Sequence, residues 1–217
     1  MSDAEQAIKI LLVEDNLVVQ RYMIAALGTQ ARNHIIAVVS DGVLAVEKAC
    51  QHRPDIILLD LFLPGIDGID VIRRVMNQCP CPIVVISAEL DCQDRDLAFE
   101  AQRAGAVAVL AKPQGMEASD FARFSSQLCR TVEMMAKVKV VRRWFDQQQA
   151  LTPKATINPA VLRLDCDVLL IGSSTGGPAA LYRILESLGQ DFPFTVLIAQ
   201  HNAAGFIDTL CSWLGKT

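Results

Sequence analysis

The chain lacks any apolar run near the roughly 20 residues that a membrane-crossing helix needs; one of its longest, residues 104–111, falls far short. Its first residues, Met1-Ser2-Asp3-Ala4-Glu5-Gln6, are polar and acidic. They lack the basic and apolar regions of a secretory signal. There is no surplus of positive charge: 20 Lys and Arg stand against 24 Asp and Glu, a net charge of −4. That argues against a strongly basic nucleic-acid binder. Histidine is scarce, with only His34, His52 and His201. No CxxC occurs among the seven cysteines, Cys50, Cys79, Cys81, Cys92, Cys129, Cys166 and Cys211. Cys79-Pro80-Cys81 is too tight for a structural zinc pair. The expectation is a set of reduced thiols, a cytoplasmic location and no metal–thiolate site.

What is present points to a globular protein. The 217 residues are 52% hydrophobic and 20% charged, enough for one large domain or two modest ones. Charge divides the chain. Residues 1–136 and 164–217 are both net acidic, whereas residues 137–163 carry Lys137, Lys139, Arg142, Arg143, Lys154 and Arg163 against the single acid Asp146. That basic stretch also holds Gln147-Gln148-Gln149, Pro153 and Pro159, and reads as a linker between two acidic parts.

Five short Val/Ile/Leu runs, at residues 10–13, 35–39, 56–59, 83–86 and 107–110, alternate with stretches of helical spacing at 17–27, 43–50, 69–76 and 97–104. Alternating strands and helices predict βαβ units and a parallel sheet. Runs that are apolar throughout predict strands covered on both faces. A fifth helix is expected from about residue 118 towards residue 144, with Phe121, Phe124, Leu128, Val132 and Met135 on one stripe. The pattern restarts later, with strands at 167–171 and 194–200 and helices at 178–188 and 203–214.

Ligands of an open parallel sheet bind beyond the carboxyl ends of its strands. The residues expected there are Glu14 and Asp15, Asp60, Ser87 and Lys112, one set for each of four strands. Three carboxylates together repel, and a hard cation such as Mg2+ relieves the repulsion. A carboxylate nucleophile beside a metal and a lysine suits transient phosphorylation, with Ser87 free to bond a phosphoryl oxygen. A phosphatase with Asp60 as nucleophile is a further reading. Phe62 stands where such an enzyme usually wants a second acid, which disfavours it.

The segments Leu11-Leu12-Val13-Glu14-Asp15-Asn16, Leu59-Asp60-Leu61-Phe62-Leu63-Pro64-Gly65-Ile66-Asp67-Gly68, Ser87-Ala88 and Lys112-Pro113 resemble the receiver domain of two-component response regulators. The resemblance covers about residues 8–130. It implies a flavodoxin-like, doubly wound (βα)5 fold, with Asp60 as phospho-acceptor. It further implies Mg2+ held by Glu14, Asp15, Asp60 and the Phe62 carbonyl, Ser87 and Lys112 as phosphoryl sensors, and a cis bond before Pro113. A histidine kinase would be the phosphodonor. The family often has an aromatic switch three residues before the lysine, where Val109 stands here, so a flipping ring is not expected.

The later stretch Ile171-Gly172-Ser173-Ser174-Thr175-Gly176-Gly177-Pro178 joins a strand to a helix through small residues. Such a turn either cradles a phosphate or presents a serine beside an oxyanion hole. No lysine follows as a Walker A motif requires, and Gly215-Lys216-Thr217 fails because Leu210 replaces its first glycine. His201 closes the next strand. Adjacent parallel strands lie about 4.8 Å apart, which would set Ser174 beside His201 as nucleophile and base. The motifs Gly172–Gly177 and Gln200-His201 resemble the catalytic domain of the chemotaxis protein-glutamate methylesterases, in which a receiver precedes a Ser-His-Asp esterase.

That resemblance implies Ser174 as nucleophile, His201 as base and Thr175, Gly176 and Gly177 at the oxyanion turn. It implies demethylation of glutamate methyl esters on the cytoplasmic helices of chemoreceptors, and glutamine deamidation, with phosphorylation relieving inhibition by the receiver. The expected layout is a receiver at 1–130, a helical and basic linker at 131–165, and the first βαβα part of a Rossmann-like methylesterase domain at 166–217. That family's catalytic domain exceeds one hundred residues, whereas about fifty follow Asp165. Its triad aspartate has no counterpart here. Asp208, the one acid after His201, falls on an expected helix. The chain is therefore expected to be catalytically incomplete, and a receiver acting only as a binding module stays open as an alternative.

Overall fold

Short polar side chains set where three helices begin. Asn16 Oδ1 accepts from the amides of Val18 and Val19 at 2.9 and 3.3 Å. Asp41 Oδ1 accepts from Val43 and Leu44 at 2.7 and 3.0 Å, and Asp67 Oδ1 from Ile69 at 3.0 Å. Each satisfies amides that the first helical turn leaves without partners. The computed structural model describes residues 7–87, 92–112, 117–140, 167–174, 177–189, 192–200 and 207–215. The chain forms two compact units, Met1–Arg143 and Trp144–Thr217.

In the first unit, β1 (Ile8–Val13), α1 (Leu17–Leu27), β2 (Asn33–Val39), α2 (Gly42–His52), β3 (Ile56–Leu59), α3 (Gly68–Gln78), β4 (Ile83–Ser87), α4 (Cys92–Ala104), β5 (Ala108–Ala111) and α5 (Ala118–Met135) alternate strictly. The strands form one parallel sheet in the order β2-β1-β3-β4-β5. This is the flavodoxin-like (βα)5 architecture. β3 and β4 are buried at every position, because helices cover both faces of the sheet. On one face Ile10, Leu12, Ile56, Leu58, Val84 and Ile86 pack with Met23 and Leu27 of α1 and with Phe124, Leu128 and Val132 of α5. The opposite face is covered by α2, α3 and α4, whose Ala45, Ala49, Val71, Ile72, Val75, Ala98 and Ala101 are buried.

Two expectations need correction. The fifth helix does not continue towards residue 144 but ends at Met135, capped by Ala136. Val138 donates to the Met135 carbonyl at 3.0 Å and the chain turns. Val138 and Val140 then pack against the core at a spacing of two, so the apolar period changes from helical to extended. The thiols are not all free either. Cys50 and Cys79 form a disulfide, with a Cα–Cα distance of 5.2 Å. α2 and α3 lie side by side, which brings together two cysteines 29 residues apart. Cys81, Cys129 and Cys211 are free.

The second unit contains β6 (Val168–Ser173), α6 (Gly177–Leu188), β7 (Thr195–Gln200) and α7 (Ile207–Leu214). β6 and β7 pair in parallel, with Ser173 opposite Gln200. Leu181 of α6 and Leu210, Trp213 and Leu214 of α7 are buried, and the Tyr182 and Trp213 rings lie 4.9 Å apart. Exposure alternates along both strands. Leu170 and Leu197, directly paired, stand 74% and 51% exposed on one face.

Candidate functional site

The strand order places β1 next to β3 at the centre of the sheet, with Val13 paired to Leu59. The next residue on each strand is an acid. Their backbones stay in the ladder: Asp60 N donates to Val13 O at 2.9 Å and Glu14 N to Val39 O at 3.0 Å. Ser87 ends β4 and pairs with Ala111, so Lys112 begins one residue further along β5. The Lys112 amide donates to the Ser87 carbonyl. Four strands thus deliver Glu14, Asp60, Ser87 and Lys112 to one edge.

The side chains of Glu14, Asp60 and Lys112 meet. Lys112 Nζ lies 2.8 Å from Asp60 Oδ2 and 2.8 Å from Glu14 Oε2. Carboxylate oxygens of Glu14, Asp15 and Asp60 lie within 4.8 Å of one another. Glu14, Asp60 and Ser87 are only 1%, 3% and 1% exposed, whereas Asp15 is exposed. Burial pushes the Glu14 carboxyl above its usual range. Asp60 adds to the rise, and Lys112 and the Asn16 amide oppose it. Burial pulls the Lys112 ammonium down, but hydrogen bonds and attraction from Asp60 and Glu14 outweigh this and hold it above its usual value. Asp60 Oδ1 accepts from the Phe62 amide at 3.3 Å.

Three carboxylates face one ammonium, so the cluster keeps an excess of negative charge. All its acidic donors are hard oxygens, the set that suits Mg2+. The Ser87 hydroxyl is buried and makes no hydrogen bond among the described residues. Such an orphan donor at a strand end is ready for an incoming oxygen.

Sequence reasoning gave no role to three supports. Asn16 both starts α1 and donates its amide to Glu14 Oε1 at 3.2 Å. Gln20 Nε2 donates to the Glu14 carbonyl at 2.6 Å. Gly68 lies so close to the acidic loop that a Cβ would stand 2.6 Å from Leu61 Cα. The cap was readable from a polar residue just before an apolar helix. The other two depend on the folded loop. Val109 is buried in β5 at the position where an aromatic switch is often found. The peptide bond before Pro113 lies outside the described residues.

The second candidate centre is described in part. Ser174 follows β6 directly and is exposed. Its carbonyl accepts from Gln200 Nε2 at 2.9 Å and from the Gly177 amide at 2.8 Å. Gln200 Oε1 in turn accepts from the Ser173 hydroxyl. One amide side chain therefore clamps the end of β6 onto the end of β7. A Cβ on Gly177 would fall 1.9 Å from Gln200 Oε1, so the clamp leaves no space for a side chain there. Thr175, Gly176 and His201 lie outside the described residues.

Against known families, the profile of the response regulator receiver domain matches residues 10–119. The chain belongs to the response regulator receiver family. A second profile, CheB methylesterase, matches residues 169–217. The receiver region is similar to the crystal structure of the response regulator domain of Thermotoga maritima CheB. The TM-score is 0.56 at 25% identity, covering 62% of this chain and 99% of that one. Across both regions the chain is similar to proteins named protein-glutamate methylesterase/protein-glutamine glutaminase. One from Nitrosospira multiformis is 35% identical and one from Myxococcus xanthus 39% identical, each over 95% of this chain and 59% of the relative. The chain thus spans about three-fifths of the length of these curated relatives. Among the described residues no helix is long and apolar enough to cross a membrane.

Proposed function

We propose that this chain is a cytoplasmic chemotaxis response regulator, phosphorylated on Asp60, that gates a protein-glutamate methylesterase. The observation that carries the reading is the contact of Lys112 with both Asp60 and Glu14 at one sheet edge. In the reaction, an Asp60 carboxylate oxygen attacks the phosphorus of a phosphohistidine on a kinase. The P–O bond forms as the P–N bond breaks, and the histidine nitrogen leaves with the electron pair. Lys112 pairs with the charge gathering on the phosphoryl oxygens. Ser87 donates its hydroxyl to one of them. Glu14, Asp15, Asp60 and the Phe62 carbonyl would hold Mg2+, which when bound would supply further neutralisation of those oxygens; the three clustered carboxylates support this.

The match of residues 169–217 to the methylesterase profile supports the output half of the proposal. Ser174 acts as nucleophile and His201 as its base, and Thr175, Gly176 and Gly177 form the oxyanion turn. The substrates are glutamate methyl esters on the cytoplasmic helices of chemoreceptors, with glutamine deamidation as a second activity. Neither nucleic acid nor membrane insertion enters this scheme.

The test is phosphorylation by acetyl phosphate and Mg2+, with the modified residue mapped by mass spectrometry after borohydride trapping. One phosphoryl group on Asp60, absent in Asp60→Asn, is the expected result; modification of a different residue overturns the assignment. The output half is read by methanol release from methylated receptor, using this receiver ahead of a complete catalytic domain. Release should rise with acetyl phosphate in the parent and stay flat in Asp60→Asn.

A further inference from the structure

The disulfide between Cys50 and Cys79 joins two helices at the edge of the sheet opposite Asp60. Cys50 lies in the last turn of α2, and Cys79 caps α3 by donating its amide to the Val75 carbonyl at 2.9 Å. Helix packing sets the approach of the two residues. At the other end of this helix pair, a Cβ on Gly42 would meet Ile66 and Val71 side chains within 3 Å. The Cα–Cα distance of 5.2 Å lies within the range that disulfides occupy. Both cysteines are half-buried rather than sealed in the core. Cys81, two residues from Cys79, is a different case. It is buried, and burial, with Asp55 adding, pushes its thiol up to about 12. A thiol held in that state is a poor nucleophile, because exchange needs the thiolate.

We propose that Cys50 and Cys79 form a reversible thiol–disulfide modification site, oxidised by low-molecular-weight disulfides and reduced by the corresponding thiols. One protein thiolate attacks the small disulfide, forming a mixed disulfide and releasing one small thiolate. The second protein thiolate attacks the protein sulfur of that mixed bond and releases the other. Two cysteine thiols thus lose two protons and two electrons, and one small disulfide becomes two small thiols. The helices hold the second sulfur beside the first, which makes the closing step intramolecular. The loop so closed contains β3, Asp60, the Phe62 segment and all of α3. Oxidation therefore ties down the segment that carries the acidic site without touching it, and the inference stands independently of the role given to Asp60.

The experiment equilibrates the full chain in glutathione buffers of graded redox poise, traps free thiols by alkylation and maps peptides by mass. Joined Cys50 and Cys79 peptides are expected in the oxidising buffers and two alkylated cysteines in the reducing ones, with Cys81 staying unlinked. The oxidised form should melt roughly 10 °C above the reduced form. Cys50→Ser and Cys79→Ser should each abolish that difference while melting like the reduced parent. Full alkylation of both cysteines in every buffer, a bond to Cys81 in place of Cys50, or equal melting of linked and unlinked protein would each overturn the proposal.

Discussion

Replacing Lys112 by alanine removes an ammonium from between two buried carboxylates. Its ammonium is 2.8 Å from both Glu14 and Asp60, and those side chains are 1% and 4% exposed. Removing one partner of a buried charge pair costs about 3–5 kcal/mol, because the other charge stays buried without compensation. For a domain of this size that is a fall in Tm of roughly 10–15 °C. Denaturation by urea, followed by circular dichroism without metal, measures it. Mg2+ should return part of the loss. At ten times the dissociation constant a ligand adds about 1.4 kcal/mol, and the variant should bind the ion more tightly because no ammonium competes for the carboxylates. The Mg2+-induced shift should therefore be larger in Lys112→Ala than in the parent. A loss below about 1 kcal/mol, or equal Mg2+ shifts in the two proteins, would refute the reasoning that Lys112 balances this cluster.

Two further outcomes follow from the same edge of the sheet. Gly68→Ala should destabilise the first unit by about 2–3 kcal/mol, since the new Cβ meets the Leu61 backbone, which cannot swing aside; a thermal melt equal to the parent's would contradict the close approach. The folded state holds the Lys112 ammonium above its usual value of 10.5, so its stabilising contribution is complete below pH 10.5 and is lost as pH rises through the higher folded value. The stability gap between parent and Lys112→Ala should accordingly stay constant through neutral pH and narrow above pH 10.5; a gap that narrows between pH 6 and 8 would contradict it.

Much of the first unit was legible because its strands announce themselves. Ile56–Leu59 is apolar at every position, as a strand covered on both faces is, and so short a run between turn residues favours strand over helix. Once the strands were placed, the rule that ligands gather at their carboxyl ends led to Glu14, Asp60, Ser87 and Lys112, and the structure brings these together. Legibility failed where tertiary packing decides. Val138 and Val140 extend an apolar pattern, but only the folded core shows that they pack as extended chain rather than as helix. Cysteine spacing hid the Cys50–Cys79 bond because its partners sit on two different helices. Gln20 carries no pattern of its own, and the Gln200-His201 motif gives Gln200 no clamping role; each bonds a backbone carbonyl that only the folded chain brings within reach.

The bare face of β6 and β7 has a practical consequence. With Leu170 and Leu197 abreast and open to water among the described residues, the second unit is the adhesive part of the molecule. Crowding or gentle warming should clump the chain through that surface while the five-stranded sheet is still intact.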